Sequence, residues 1–231
     1  MSRRSIVFCA FAVLAAGLFV RLGFWQLARL REKVQRNAVI AAQQRAAPVQ
    51  FASLPADPSA ARYRRAVLAG TYDYERELVV ASRTRQGSPG VELVTPMRVA
   101  GTDTVVLVNR GWVYSPNGAT VDRARWRERD SATVTGYVEQ FAPDAPLTTA
   151  AADRRIVRRL SRREVTTRLP FPIAPFYLMA TGDTASSRPA RRVMPALDAG
   201  PHRGYAIQWF SFAAIAIVGA LAVIRRERHT P

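Results

Sequence analysis

The residues of this chain that could do chemistry are few, and they gather in two places. The first is a stretch running Arg21, Leu22, Gly23, Phe24, Trp25, Gln26, Leu27, Ala28, Arg29 and on to Lys33. On a helix, Arg21, Trp25, Arg29 and Lys33 are four apart and form one slowly drifting stripe. The second runs Gly200, Pro201, His202, Arg203, Gly204, Tyr205 and on to Gln208, Trp209 and Phe210. Tyr205 and Trp209 are again four apart, with Gln208 beside them. Two chemistries suit such a set. One is an aromatic belt with arginines snorkelling to lipid headgroups, which accounts for Phe24, Trp25, Tyr205 and Trp209. It leaves Gln26, Gln208 and a histidine fixed behind Gly-Pro without a reason. The other is a haem site, which needs a neutral imidazole, an apolar wall and cations for the propionates. His202 would supply the axial nitrogen, and Arg21, Arg29 or Arg203 the cations. The residues leave both readings open.

Other chemistries are harder to build. A single cysteine, Cys9, excludes a disulfide framework and any Cys-clustered zinc or iron–sulfur site. Two histidines, His202 and His229, are too few for the usual multi-His metal sites. The chain has no G-x-S-x-G, H-E-x-x-H, Walker loop or G-x-G-x-x-G. A Ser–His–Asp triad would have to use His202, and nothing points to its serine. Asp73, Glu75 and Glu77 alternate, which reads as a solvated strand face. Binding or assembly is therefore favoured over catalysis, and no catalytic residue is assigned.

The elements that must position these residues are two apolar runs. Ile6 to Val20 is fifteen residues without a charge, and Tyr205 to Ile224 is twenty. At about 1.5 Å per residue the second spans about 30 Å, the thickness of a bilayer core. The first is shorter, but Leu22, Gly23, Phe24, Trp25, Leu27 and Ala28 extend it past Arg21. No small-residue cleavage site precedes Arg21, so an uncleaved anchor is expected rather than a removed signal. Arg3 and Arg4 precede the first span; Arg225, Arg226 and Arg228 follow the second. Both tails should therefore be cytoplasmic and the intervening residues on the outer side of the plasma membrane. An antiparallel pair would put both edge clusters at one depth, with Ala12, Ala16, Ala216 and Ala220 allowing close packing.

The chain has 231 residues and a net charge of +17, from 34 basic and 17 acidic residues. Its 48% hydrophobic content excludes wholesale disorder. Lys33 is the one lysine, so the basic half reads mainly as an arginine bias of composition. With the five flanking arginines and Glu227 set aside, 29 basic and 16 acidic residues remain, a net +13 between the spans. A loop this long escapes the positive-inside count. Its outer location also removes nucleic acid as a partner and puts membrane lipid and acidic ligands in its place.

Between the spans the periodicity changes. Trp25 to about Gln44 reads as helix, and Pro48, Pro55 and Pro58 mark a loop. Strands are expected at Arg65–Tyr72, Glu77–Arg85, Val91–Val99, Thr104–Val113, Thr133–Gln140, Arg155–Leu160 and Phe176–Ala180. Short helices are expected at Val121–Arg129 and Arg162–Arg168. In Val106–Val113, Trp112 and the valines suit a packed strand, Gly111 a bulge or close backbone approach, and Arg110 a bond to a neighbouring loop. The fold class is thus a membrane protein with N- and C-terminal transmembrane helices flanking an exported, predominantly antiparallel β domain with short helices. Its expected divisions are residues 1–28, 29–60, 61–199, 200–224 and 225–231.

Four segments together carry a family resemblance: G-F-W-Q-L-A-R-L-R-E-K at 23–33, P-G-V-E-L-V-T-P at 89–96, V-L-V-N-R-G-W-V at 106–113, and G-P-H-R-G-Y-A-I-Q-W-F-S-F-A at 200–213. The chain resembles the surfeit-locus protein one family from about residue 6 to the end of the second span. The resemblance implies a two-span, non-enzymatic membrane protein that assists assembly of cytochrome c oxidase. It implies handling of haem A, with His202 as the haem-associated residue and metal ligand. Trp25, Tyr205, Trp209, Gln26, Gln208, Arg21, Arg29 and Arg203 are the expected surroundings. The implied partners are the oxidase catalytic subunit and the haem A synthesis enzymes. A cofactor-free scaffold that docks oxidase subunits is the alternative. The chain departs from the family in lacking a tryptophan in Ala150–Leu160 and in carrying Arg203 after the histidine.

Overall fold

The computed structural model describes residues 2–144, 153–182, 188–194 and 196–228. His229 and Ala150–Ala152 lie outside these. The chain divides into two compact units, Met1–Ala41 with Ala196–Pro231, and Ala42–Pro195.

The first unit is an antiparallel helix pair. Helix α1 runs without interruption from Arg3 to Arg45, and the last helix, α4, from His202 to Arg228. Both are long and apolar enough to cross a membrane. The residues buried between them are small or polar: Ala12, Ala16, Gly23 and Gln26 on α1, and Ala206, Ala213 and Ala220 on α4. Positions 206, 213 and 220 are seven apart, the repeat that keeps one seam facing a partner helix. Ala216 is only half-buried, so Ala213 and Ala206, not Ala216, continue the close-packed line from Ala220. The large apolar side chains point outward instead: Phe11 is 70% exposed, Leu14 73% and Ile215 67%. Apolar outside and small inside is the arrangement that suits hydrocarbon, where close packing rather than water exclusion joins helices. Gly23 is required for this approach, because a Cβ there would stand 2.6 Å from the Phe210 ring.

The second unit is built on a closed sheet. Its strands are β1 (Val49–Gln50), β2 (Arg65–Tyr72), β3 (Leu78–Arg85), β4 (Ser88–Val99), β5 (Val105–Tyr114), β6 (Ser131–Gln140), β7 (Ile156–Val157) and β8 (Phe176–Ala180). Strands β2, β6, β8, β5 and β4 follow one another round, and β2 pairs again with β4, closing a five-stranded barrel. The twelve-residue β4 makes this possible. Its first part pairs with β3 and its last three residues with β2 at Gly70–Tyr72. The long pairings are antiparallel, as expected. The parallel pairs β1–β2, β3–β7 and β5–β8 are short and make the sheet mixed.

Strand β5 is buried on both faces. Val106 and Val108 join Leu68, Met97, Val138 and Leu178 in the main core, while Leu107 joins Leu78, Val80, Val94 and Val165 in a second. This explains its nearly unbroken apolar run, the mark of a strand covered on both sides.

Three sequence expectations are corrected. Val121–Arg129 holds only the 3₁₀ turn Ala124–Trp126, because it has too few apolar residues to hold a helix face and its backbone at Trp126 is drawn to Arg110. Arg155–Leu160 contributes just the two residues of β7, laid parallel to Val79 and Val80. Asp73, Glu75 and Glu77 are not a strand face. Asp73 caps a 3₁₀ turn over Tyr74–Arg76, and Glu77 is only 1% exposed. Helix α3 (Arg162–Thr166) forms where expected, capped by Ser161 on the Glu164 amide. The remaining short helix, α2 (Pro58–Ala61), starts on an Asp57 cap.

Candidate functional site

The helix pair brings His202 and Gln26 together. His202 opens α4 behind Pro201, and Gln26 lies on the buried seam of α1, 9% exposed. The His202 Nδ1 to Gln26 Oε1 distance is 2.8 Å. A carboxamide oxygen only accepts, so Nδ1 is the donor, and in the neutral ring that tautomer leaves the lone pair on Nε2. This is how proteins orient an imidazole that must ligate through its other nitrogen. The aromatic wall is on the same seam. Trp209 stacks on Phe19 with ring centres 5.6 Å apart and meets Phe212 edge-on at 5.9 Å. Phe24 and Phe210 form a second edge-on pair at 5.4 Å.

The other residues singled out in the sequence lie on outer faces of the same unit. Trp25 is 51% exposed and Tyr205 48%. Gln208, Arg21 and Arg203 are exposed. Arg29 lies over the Trp25 ring at 5.8 Å and pairs with Glu32 at 3.0 Å. The fold thus brings His202, Gln26 and Trp209 to the seam and leaves Arg21 and Arg203 exposed, with Arg29 engaged by Trp25 and Glu32. Among the described residues, no three His, Cys, Asp or Glu side chains converge on one point. The arrangement is one oriented imidazole beside aromatic rings, with arginines at the surface, and it lacks the convergent donor set that a bare ion needs.

A second constellation lies in the barrel, where Arg110 bonds a neighbouring loop as expected but is also buried among partners that sequence reasoning did not foresee. Strand β5 is bulged at the N-R-G motif: Gly111 faces Leu93 and Asn109 faces Val94, so Arg110 is the extra residue. The bulge turns Arg110 inward, where it is fully buried. Its guanidinium donates to Glu77 at 2.5 Å, to Thr95 at 2.8 Å, to the Trp126 carbonyl at 2.6 Å and to Glu128 at 3.1 Å. Tyr74 lies 4.9 Å beneath it. Burial works against the Arg110 charge, but attraction and hydrogen bonding from Glu77 outweigh it and hold the group above its ordinary pKa. Burial likewise raises the Tyr72 hydroxyl, with Arg191 pulling the other way.

The same motif fastens the segment that leads to α4. Gly111 has φ of +129°, and a Cβ there would stand 2.5 Å from the Ala190 carbonyl. That closeness lets Ala190 pair with Trp112 through bonds of 2.7 and 2.9 Å. Arg191 then bonds Glu128 and the Arg110 carbonyl, and Arg192 bonds Glu92. Asn109 bonds Glu92 at 3.0 Å. A charged residue amid valines, followed by glycine, was the visible signal. The partners Glu77, Glu92 and Glu128 were not.

A SURF1 family model matches residues 13–214, from α1 through the barrel into α4. The chain belongs to the SURF1 family. A SURF1-like protein of Rickettsia conorii is 27% identical over 236 residues, covering 99% of this chain and 93% of its own. A SURF1-like protein of Monosiga brevicollis is 30% identical over 139 residues, 53% of each chain. The Surfeit locus protein 1 of Takifugu rubripes is 28% identical over 132 residues, 51% of this chain and 55% of its own. The match thus spans about half the length of the last two relatives and nearly all of the Rickettsia one. The SURF1 match includes both the Gln26–His202 seam and the Arg110 bulge.

Proposed function

We propose that this protein is a membrane-anchored assembly factor for haem–copper (cytochrome c) oxidase that binds haem A and delivers it to the catalytic subunit. The observation that carries the reading is the Gln26–His202 bond, which orients one imidazole with Nε2 available at the end of a membrane-length helix. Haem, when bound, would supply an iron that takes such a nitrogen. His202 would hold the iron, and Gln26 fixes its tautomer. Trp209 offers an apolar wall, with Trp25 and Tyr205 on the adjoining outer faces. Arg21, Arg29 and Arg203 would pair with propionates as charge-assisted donors, and Gln208 adds an amide. The haem A synthesis enzymes would load the protein, and membrane lipid would surround the helix pair. The basic tails support cytoplasmic termini, with the barrel on the outer side.

The test is purification after co-expression with haem A synthesis enzymes. The native protein is expected to show a haem absorbance band. His202→Ala should lose or shift it, and Gln26→Leu should weaken haem retention with the helix pair intact. A colourless native protein that still co-purifies with oxidase subunits would mean the scaffold reading. An unchanged band in His202→Ala at equal occupancy would sink the ligand assignment.

A further inference from the structure

The barrel unit carries an open concavity of about 920 Å³ that the proposed haem chemistry does not use. One wall is hydroxylic. Thr133 and Thr135 project from the same face of β6, and the Thr181 hydroxyl lies beside them, bonded to the Thr135 carbonyl at 3.3 Å. Alternate residues of a strand share a face, so this row follows from β6 itself. The lining is also cationic, with Arg127 and Arg129 from one chain segment and Arg188 and Arg191 from another.

The charges there do not cancel. The carboxylate on the wall, Glu128, is taken by Arg110 at 3.1 Å and by Arg191, and Arg188 reaches it only at 3.7 Å. Arg110 is in turn matched by Glu77. Arg127 pairs with Asp130 at 3.3 Å and lies over Tyr74. No carboxylate of the described residues pairs with the exposed Arg129, and Arg188 is 55% exposed. Two exposed arginines from segments distant in sequence, one unpaired and one held only by a long contact to an already shared carboxylate, thus line a hydroxyl-bearing hollow. A cation would be repelled there, and a neutral ligand would leave Arg129 unanswered and Arg188 with only its long contact to Glu128. Guanidinium forks together with hydroxyl donors match an oxyanion with several acceptor oxygens, and the hollow has the volume of a small-molecule site.

We propose that this concavity binds a phosphate-bearing ligand, with Arg129 and Arg188 pairing to the phosphate oxygens and Thr133 and Thr135 donating hydroxyl hydrogen bonds. The phosphate belongs to a soluble phosphate ester or to a phospholipid headgroup, and the chemistry of recognition is the same.

The full-length protein in neutral detergent is titrated by calorimetry with inorganic pyrophosphate and, separately, with short-chain phosphatidylglycerol. Binding of pyrophosphate that weakens about tenfold or more in Arg129→Ala/Arg188→Ala supports the site. A parallel loss for the lipid assigns the headgroup as a source; a loss for pyrophosphate alone assigns a soluble ester. Arg158→Ala/Arg159→Ala removes the same charge from exposed positions outside the hollow and should leave both titrations unchanged. Failure of both probes to bind, equal weakening in that control, or citrate binding as tightly as pyrophosphate would overturn the proposal.

Discussion

Arg110 shows how much one residue can organise. A buried guanidinium is tolerable only because Glu77, Thr95, Glu128 and a backbone carbonyl satisfy its donors. Removing it leaves Glu77, itself 1% exposed, without its counter-charge. Arg110→Met is therefore expected to destabilise the barrel by roughly 3–5 kcal/mol, seen as a lower urea midpoint. Adding Glu77→Gln to it should recover part of the loss, since the orphaned charge is then gone. Equal or greater loss in the double variant would show that packing around the bulge, not the ion pair, is what matters. At the proposed haem site the decisive residue is smaller in its effect on stability. Gln26 is expected to act through the orientation of His202, which is why its variant is read by haem retention.

Among the elements, the helix pair makes the sharpest prediction. Its register is fixed by contacts along its whole length: Ser5 with Glu227, the Cys9 Sγ 3.8 Å from the Ala220 carbonyl, Phe19 with Trp209, and Gln26 with His202. Ala220→Cys should accordingly cross-link to Cys9 with a short thiol-reactive linker in membranes. Gly23→Leu drives a side chain into the Phe210 ring and should markedly reduce that cross-linking, with a concurrent loss of haem retention if the seam holds His202. Undiminished cross-linking would mean that the helices pack differently. The strap from Arg188 to Val193 is the corresponding element in the barrel. It is held by one backbone pair at Trp112 and by ion pairs of Arg191 and Arg192.

For the whole molecule, alkaline pH should separate the two units. Burial raises the Tyr137 hydroxyl to about 12 and those of Tyr72 and Tyr177 further. An unfolded tyrosine gives up its proton near pH ~10. Above that value the unfolded barrel binds fewer protons than the folded one, so its stability falls as pH rises. Each such tyrosine costs roughly 1.4 kcal/mol per pH unit until its folded value is passed. The sheet signal in circular dichroism should collapse together with the rise in phenolate absorbance, while the helical signal persists. Tyrosine ionisation well ahead of sheet loss would contradict this burial.

The local sequence by itself determined the elements whose cause is local. The two apolar runs, the first carried past Arg21, form bilayer-length helices, because a helix satisfies its own backbone in hydrocarbon. Alternation and turn residues placed most of the strands, and Gly111 announced its bulge, since a positive φ beside a close carbonyl leaves no room for a Cβ. Gln26 and His202 were legible as odd residues at a membrane edge, but nothing in their spacing shows that they meet. Only the tertiary structure decided the rest. Closure of the barrel depends on β4 bending from β3 to β2, a pairing between distant segments that no periodicity encodes. Glu77 looked like one of three solvated acids until Arg110 was turned onto it by the bulge. Arg129 and Arg188 looked like two of many arginines until the chain brought them to one hollow. A charge's meaning lies in its neighbours, and those neighbours are chosen by the fold.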